Sequence, residues 1–286
     1  MKNRKDLIII LIVAIIWGFN WTNMKIGLSY TGSMNYLFQR LLFSAFMIAP
    51  FLFFIKNGFR RDSRTIINVI LQSAASSISM VFMMLALQVE GSGISAIVTY
   101  TQPLFVFVLS AMFLKNEITK MKITGVLLGF VGIGIIYLEK LGSGTLEAFL
   151  FLVISAFLWA VSIVYYKLIS SSVHPYWISF SGVAVGSFIV LPLALATGGI
   201  SFIYEPTYVL SVVYTTVLST VLAFFLWFYL LKNEDATTVS SSSLLIPIIA
   251  FVAGAFLLEE TVNLYQIVGV VMVLFGIYLV NKNRKT

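Results

Sequence analysis

Long apolar runs separated by brief polar interruptions make up almost the whole chain. Residues 7–27, 34–55, 65–88, 93–114 and 121–138 form a first set, and 146–167, 176–197, 208–231, 236–258 and 264–281 a second. At 1.5 Å of rise per residue, each run comes close to the roughly 20 residues that cross about 30 Å of hydrocarbon. Lipid offers no partner to a backbone N–H or C=O, so a spanning segment of this length must satisfy its own as a helix. The connections are too short to fold by themselves. The pattern predicts an all-α membrane protein of ten transmembrane helices, with no soluble domain.

Composition agrees with that reading. Of 286 residues, 60% are hydrophobic and 10% charged, and the absence of Cys excludes disulfides and thiolate metal sites. Mean hydropathy is +1.01. The net charge of +7 would suit nucleic acid, but the basic residues lie in loops and termini. With the N-terminus in the cytoplasm, fifteen of them fall inside, only Lys25 and Lys140 fall outside, and Arg40 lies within the second span. The positive-inside rule then predicts a multi-pass protein of the cell membrane with both termini cytoplasmic and no nucleic-acid partner. The basic start before an apolar run is also what a signal peptide shows. Trp17, Asn20 and Trp21 inside that run, with no small-x-small cleavage site, mark it as a retained first span.

The two sets resemble each other. Pro103, Phe107, Ala111, Gly125 and Gly132 recur 144 positions later as Pro247, Phe251, Ala255, Gly269 and Gly276. Trp17 and Lys25 recur 142 positions later as Trp159 and Lys167. Residues 1–140 and 141–286 are therefore expected to be two five-helix repeats. Because five is odd, the second repeat enters the membrane upside down, an arrangement that secondary transporters use to move an access path across the bilayer.

Interruptions at matching places in two halves are the sequence pointer to a transport site. Pro103 and Pro247 each remove a backbone donor, and are expected to free the carbonyls of Thr99 and Ser243. Around them lie Thr99, Tyr100, Thr101 and Gln102, and then Ser240 to Ser243. Further polar stripes run at helical spacing: Trp17, Asn20 and Met24 with Trp21 beside them; Gln72, Ser73, Ser76, Ser77, Met80 and Met84; Ser155, Trp159, Ser162 and Tyr166; Thr215, Thr216, Ser219 and Thr220. Such Ser and Thr also glue helices together in any bundle. The candidate substrate-binding set is Asn20, Arg40, Ser76, Met80, Tyr100, Gln102, Trp159, Ser162, Tyr166 and Ser243.

Arg40 is the sharpest single residue, about 10 Å along its helix from the outer start of the second span. A charge there costs a few kcal/mol without water or a partner. It can hold a carboxylate or phosphate by two parallel hydrogen bonds, or snorkel to the headgroups. No Asp or Glu falls near a span centre, which disfavours proton relays and organic-cation binding. Glu117 and Glu260 close corresponding spans and are expected to cap the next helix. Gly125, Gly129, Gly132, Gly269 and Gly276 make spans five and ten packing helices, with a homodimer contact as their expected use.

Together these residues resemble the EamA group of the drug/metabolite transporter superfamily. The carriers are Trp17-Gly18-Phe19-Asn20 with Lys25, Arg40, and Pro103 to Glu117 leading into Gly125. The second copy shows Trp159 with Lys167, and Pro247 to Glu260 leading into Gly269, with Ala160 where the first copy has Gly18. The resemblance implies a ten-helix basket around a cavity lined by spans one to four and six to nine. Tyr100 and Trp159 would face it from opposite halves, with Met80 near. It implies export or exchange of small metabolites, amino acids among them. An exchanger of phosphorylated solutes using Arg40, Lys25 and Lys167, and a multidrug exporter, are the alternatives. A membrane-embedded enzyme would need a nucleophile with a base, a metal cluster or paired acids. The sole His, His174, lies in a loop, so no catalytic residue, cofactor or metal site is expected. A channel fits the paired Pro breaks less well than alternating access does.

Overall fold

The computed structural model describes residues 4–55, 58, 62–114, 119–137, 146–243 and 245–282. Helices α1 (Arg4–Leu28), α2 (Ser33–Leu52) and α3 (Ser63–Val89) are followed by the pair α4 (Ser92–Thr99) and α5 (Gln102–Phe113), then α6 (Lys120–Tyr137). The second part has α7 (Leu146–Ile169), α8 (Pro175–Ala196), then α9 (Pro206–Val213), a π-helical stretch Tyr214–Leu222 and α10 (Ala223–Asn233). It ends with α11 (Ala236–Ser242), α12 (Leu245–Leu257) and α13 (Leu264–Lys282). The described residues contain no strand.

Six stretches are long and apolar enough to cross a membrane by length and composition: Arg4–Leu28, Ser63–Val89, Ser92–Phe113, Leu146–Ile169, Pro175–Ala196 and Pro206–Asn233. Leu245–Leu257 and Leu264–Leu279 are shorter apolar helices. Of the basic residues behind the expected orientation, Lys2, Lys56, Arg60, Arg61, Lys115, Lys140, Arg284 and Lys285 lie outside the described residues, as does Glu117.

Local chemistry sets the helix ends. Asp62 accepts the Thr65 N–H at 2.9 Å and starts α3, and His174 Nδ1 accepts the Tyr176 N–H at 3.3 Å ahead of α8. Pro103 lacks the N–H that would continue α4, so the chain takes a tight turn there. Thr101 Oγ1 donates to Val98 O at 2.7 Å, and Leu104 N–H donates to Thr101 O at 2.9 Å. The break before Pro247 repeats this device: Ser243 Oγ donates to Ser240 O at 2.5 Å and Ile246 N–H to Ser243 O at 3.0 Å. The Ser243 carbonyl, expected to be freed, is thus taken up within its own turn.

The packing contacts come in matched pairs. α1 lies on α12 and α5 on α7; α3 lies on α8 and α2 on the π stretch; α6 and α13 lie side by side. Lys25 and Lys167 do the same job at opposite ends. Lys25 Nζ donates to the carbonyls of Leu87 and Glu90 at 2.8 and 2.9 Å, closing α3. Lys167 Nζ donates to those of Leu231 and Glu234 at 2.9 and 2.6 Å, closing α10. Cations at helix C-termini answer both the orphan carbonyls and the negative end of the dipole.

One expectation changes here. Glu260 caps not the next helix but α4, accepting the N–H groups of Ser92 at 2.5 Å and Gly93 at 3.0 Å. The glycine faces of spans five and ten meet each other inside the chain. A Cβ on Gly132 would lie 2.8 Å from Gly269 O, and one on Gly276 2.5 Å from Gly125 O. These glycines thus serve the α6–α13 contact within the chain, as packing helices require.

After α12 the chain turns through Glu259, whose φ of 53° is left-handed, while Glu260 N–H reaches back to Gly254 O at 3.3 Å. Glycine takes that conformation without Cβ strain. Glu259→Gly is expected to raise the midpoint of thermal unfolding in detergent, because relief of a left-handed strain of about 1–2 kcal/mol exceeds the roughly 0.4–1 kcal/mol that glycine's freer unfolded chain costs. A lowered midpoint would show that the Glu259 side chain contributes more than its backbone costs.

Candidate functional site

Between the helices lies a cavity of about 70 Å³. A water occupies roughly 10–15 Å³ by this kind of measure, so the space takes several waters or a small solute. α1 supplies Trp17, Asn20, Trp21 and Met24; α2 supplies Arg40; α3 supplies Ser79, Met80 and Met83. The α4–α5 break brings Thr99, Tyr100 and Gln102, α7 brings Ser155 and Trp159, the π stretch Ser219 and α10 Phe224.

Below the cavity, towards the end of the bundle that holds Lys5 and Lys167, aromatic rings close the space. Trp17 stands 6.5 Å from Trp159, 5.7 Å from Phe224 and 5.1 Å from Trp227, measured between ring centroids. Phe224 meets Phe228, and Phe228 meets Tyr166. The Trp17 indole N–H donates to Ser219 O at 2.9 Å, so the floor is held by a hydrogen bond as well as by ring contact. Above the cavity, Tyr36 Oη pairs with Ser211 Oγ and Thr215 Oγ1, each at 2.8 Å, and Asn23 Nδ2 donates to Thr215 Oγ1 at 2.8 Å. These bonds tie α1 and α2 to the helix that begins at Pro206.

Arg40 is buried, 3% exposed, which rules against snorkelling. Its Nε donates to Thr220 Oγ1 at 2.8 Å, and one terminal nitrogen lies 3.3 Å from Met24 Sδ, a weak acceptor. No described carboxylate lies within ion-pair distance; the charged or polar titratable groups that face it are Tyr36 and Tyr100. Several neighbours on the cavity wall carry polar atoms without protein partners. Asn20 Oδ1, Thr99 Oγ1, Ser219 Oγ and both amide atoms of Gln102 are buried and make no hydrogen bond within the protein. Buried polar groups are rarely left so. A cation at one place, neutral acceptors at others and aromatic faces between them can hold a solute with a carboxylate, a donor and an apolar body.

Six of the ten candidate residues come together on the wall: Asn20, Arg40, Met80, Tyr100, Gln102 and Trp159. Four lie elsewhere. Ser76 Oγ bonds its own helix at Ser73 O (2.9 Å), and Ser162 Oγ bonds Trp159 O (2.8 Å). Tyr166 is buried beneath the floor against Phe228, 4.9 Å away, and Ser243 is spent on its turn. Pro103 sits next to the lining residue Gln102, whereas the Pro247 break does not reach the cavity. α12 packs on α1 instead, with Ile249 against Gly18. Spans seven and nine supply none of the lining residues.

Ser79, Met83 and Phe224 were not singled out in the sequence. Met83 follows Ser76 and Met80 at seven and three residues, as Met84 follows Met80 at four, and a helix face admits either choice. For Phe224 a signal existed: it stands 144 positions after Met80.

Helices that surround a partly polar hollow suit a membrane transporter, a fit of architecture alone. The comparisons with known proteins give the class its name. The EamA-like transporter family matches residues 4–138 and again 146–282, and the chain belongs to that family. It is 26% identical to an "Uncharacterized transporter" of Archaeoglobus fulgidus over 97% of both chains. It is 24% identical to the "Probable amino-acid metabolite efflux pump" of Escherichia coli, over 97% of this chain and 95% of that one. A solved structure, titled only as the crystal structure of a protein, superposes with a TM-score of 0.72 at 14% identity, covering 96% and 97% of the two chains. That likeness is one of fold alone.

Proposed function

We propose that this protein exports or exchanges small amphipathic metabolites that carry a carboxylate, amino acids foremost, by alternating access. Two five-helix repeats of opposite orientation, residues 1–140 and 141–286, would cross the cell membrane in ten spans and leave both termini in the cytoplasm. The matched packing pairs and the twin caps made by Lys25 and Lys167 support the repeat. The aromatic floor and the Lys25–Glu260 end would be the two gates, because each joins elements from both repeats.

One observation carries the substrate class: Arg40, buried on the cavity wall with no carboxylate partner among the described residues. Arg40 would take the carboxylate, the unpartnered Asn20, Thr99 and Gln102 oxygens an ammonium, and Trp17, Trp21, Tyr100 and Trp159 the apolar side chain. The relative of Escherichia coli, named a probable amino-acid metabolite efflux pump, supports this solute class.

The phosphorylated-solute reading needs several cations in one place. Lys25 and Lys167 instead cap helices at opposite ends, which leaves Arg40 as the one cation on the wall among the described residues and suits a monoanionic group better than a phosphate. Cationic drugs would meet Arg40 with like charge. A second reading as an enzyme has no observation in its favour.

Counterflow in proteoliposomes tests the proposal. Labelled L-leucine or L-phenylalanine should accumulate against an internal pool, saturably and without competition from inorganic phosphate. Trp159→Ala and Tyr100→Ala should each raise the half-saturating concentration about tenfold, the size of one lost aromatic contact with its buried area. Absent flux of both amino acids, or flux untouched by both variants, would overturn the proposal.

A further inference from the structure

The helix from Pro206 to Asn233 is not α throughout. Over Tyr214–Leu222 it is π-helical, and the Ala223 N–H donates to Leu218 O, five residues back. A π stretch bonds five residues back instead of four, and such irregular turns are frequent at functional sites. α3 stands 144 positions earlier in the chain and remains α from Ser63 to Val89. There Ser76, 144 positions before Thr220, merely bonds its own helix. The irregularity is therefore peculiar to one helix, and what it touches is the cavity.

Two bonds leave the π stretch towards cavity residues. Ser219 O takes the Trp17 indole N–H at 2.9 Å. Thr220 Oγ1 donates to Thr215 O at 2.8 Å, again five residues back, and accepts from Arg40 Nε at 2.8 Å. A hydroxyl has one proton and two lone pairs. With its proton committed to the wide turn, Thr220 can only offer a lone pair to Arg40, and the direction of that lone pair is set by the turn. Occupying Nε leaves the terminal nitrogens as the face on which a carboxylate can make two parallel bonds. Thr215 at the other end of this link is itself held by Asn23 and Tyr36.

We propose that the π-helical stretch 214–222 is the device that aims the Arg40 guanidinium into the cavity, with Thr220 as the positioning residue. It rests on the reading that Arg40 receives the carboxylate of the transported solute. Thr220 touches no solute in this account. It acts by holding Arg40 in the one orientation that distinguishes a carboxylate from the uncharged amide analogue.

The test measures binding of L-leucine and of L-leucinamide to purified full-length protein, with transport of L-leucine in proteoliposomes. Thr220→Val removes the hydroxyl at nearly constant shape, and Thr220→Ser keeps it. In Thr220→Val the half-saturating L-leucine concentration should rise about tenfold, the order of one misaligned charge-assisted hydrogen bond, with the saturated rate little changed. The preference for L-leucine over L-leucinamide should shrink by the same factor, and Thr220→Ser should restore both. Once Arg40→Gln is present, adding Thr220→Val should cost nothing further. Equal weakening of acid and amide, wild-type binding in Thr220→Val, or a further tenfold loss in the Arg40→Gln background would each overturn the positioning role while leaving the Arg40 site standing. If Arg40→Gln by itself leaves the acid preference intact, or the wild type binds neither compound, the carboxylate reading falls and this proposal with it.

Discussion

Arg40→Gln is expected to abolish most transport of carboxylate solutes while leaving the protein at least as stable as the wild type. Hydrogen bonds to a charged group contribute about 1.5–3 kcal/mol, so the half-saturating concentration should rise roughly 10- to 150-fold. Stability should go the other way. Arg40 is 3% exposed and is held by one hydroxyl and one thioether, with no carboxylate beside it among the described residues. A charge buried at membrane depth with so little compensation costs the folded state a few kcal/mol. Gln keeps a donor for Thr220 without the charge, so the unfolding midpoint in detergent should hold or rise. A residue that lowers stability and is needed for flux has a functional role, whereas a residue whose loss lowers both is a structural one. Measuring flux and midpoint on the same preparation separates the two, and a fall in midpoint, with flux lowered or unchanged, would make Arg40 structural.

The second large effect concerns packing rather than solute. Gly276→Ala should unfold the α6–α13 pair or push it apart. A Cβ at position 276 would sit 2.5 Å from Gly125 O, 2.7 Å from Gly129 N and 3.0 Å from Gly129 Cα, all backbone atoms that no rotamer change can move. Overpacking of this kind costs about 1–3 kcal/mol, and here the two helices must separate to relieve it. Gly134 offers the matched control on the same helix pair. Nothing lies within 4 Å of a Cβ there, so Gly134→Ala should be neutral or stabilising by up to about 1 kcal/mol, the helix-propensity difference. Thermal unfolding in one detergent should therefore order the three proteins as Gly134→Ala, wild type, Gly276→Ala. Equal midpoints for the two variants would mean that α6 and α13 do not meet at Gly276 and Gly125.

Hydropathy marked where the helices run because the bilayer imposes a single demand on every segment, self-satisfied backbone over a fixed length. The Pro103 and Pro247 breaks were equally legible, since a missing N–H acts through local bonding. Partners were not. Lys25 and Lys167 could be paired by numbering, but that each closes a helix some sixty residues further along depends on how α1 and α7 lie beside α3 and α10. Glu260 followed the same rule: a carboxylate near a helix end was expected to cap, and packing selected α4 over α13.

The cavity shows the same division. Asn20, Arg40, Tyr100, Gln102 and Trp159 were foreseeable because polar, aromatic or charged groups at membrane depth need a reason to be there, and Met80 because it shares a helix face with Ser73 and Ser76. Ser76, Ser162, Tyr166 and Ser243 satisfied the same criterion and lie off the cavity wall, since a serine that bonds its own helix looks identical in sequence to one that faces a solute. The π stretch left no mark in the apolar pattern, because its extra residue per turn is stabilised by contacts with Trp17 and Arg40, about 180 to 200 positions earlier. By itself the sequence determined that this protein is helical, lies in a membrane and belongs to a family of transporters, since each of those follows from local hydropathy, breaks and repeated motifs. Only the tertiary structure decided which polar groups face a common hollow, that Arg40 stands there without a carboxylate partner among the described residues, and which helix aims it. Those outcomes depend on the relative rotation of packed helices, and the energy that sets it is spread over many contacts between residues far apart in the chain.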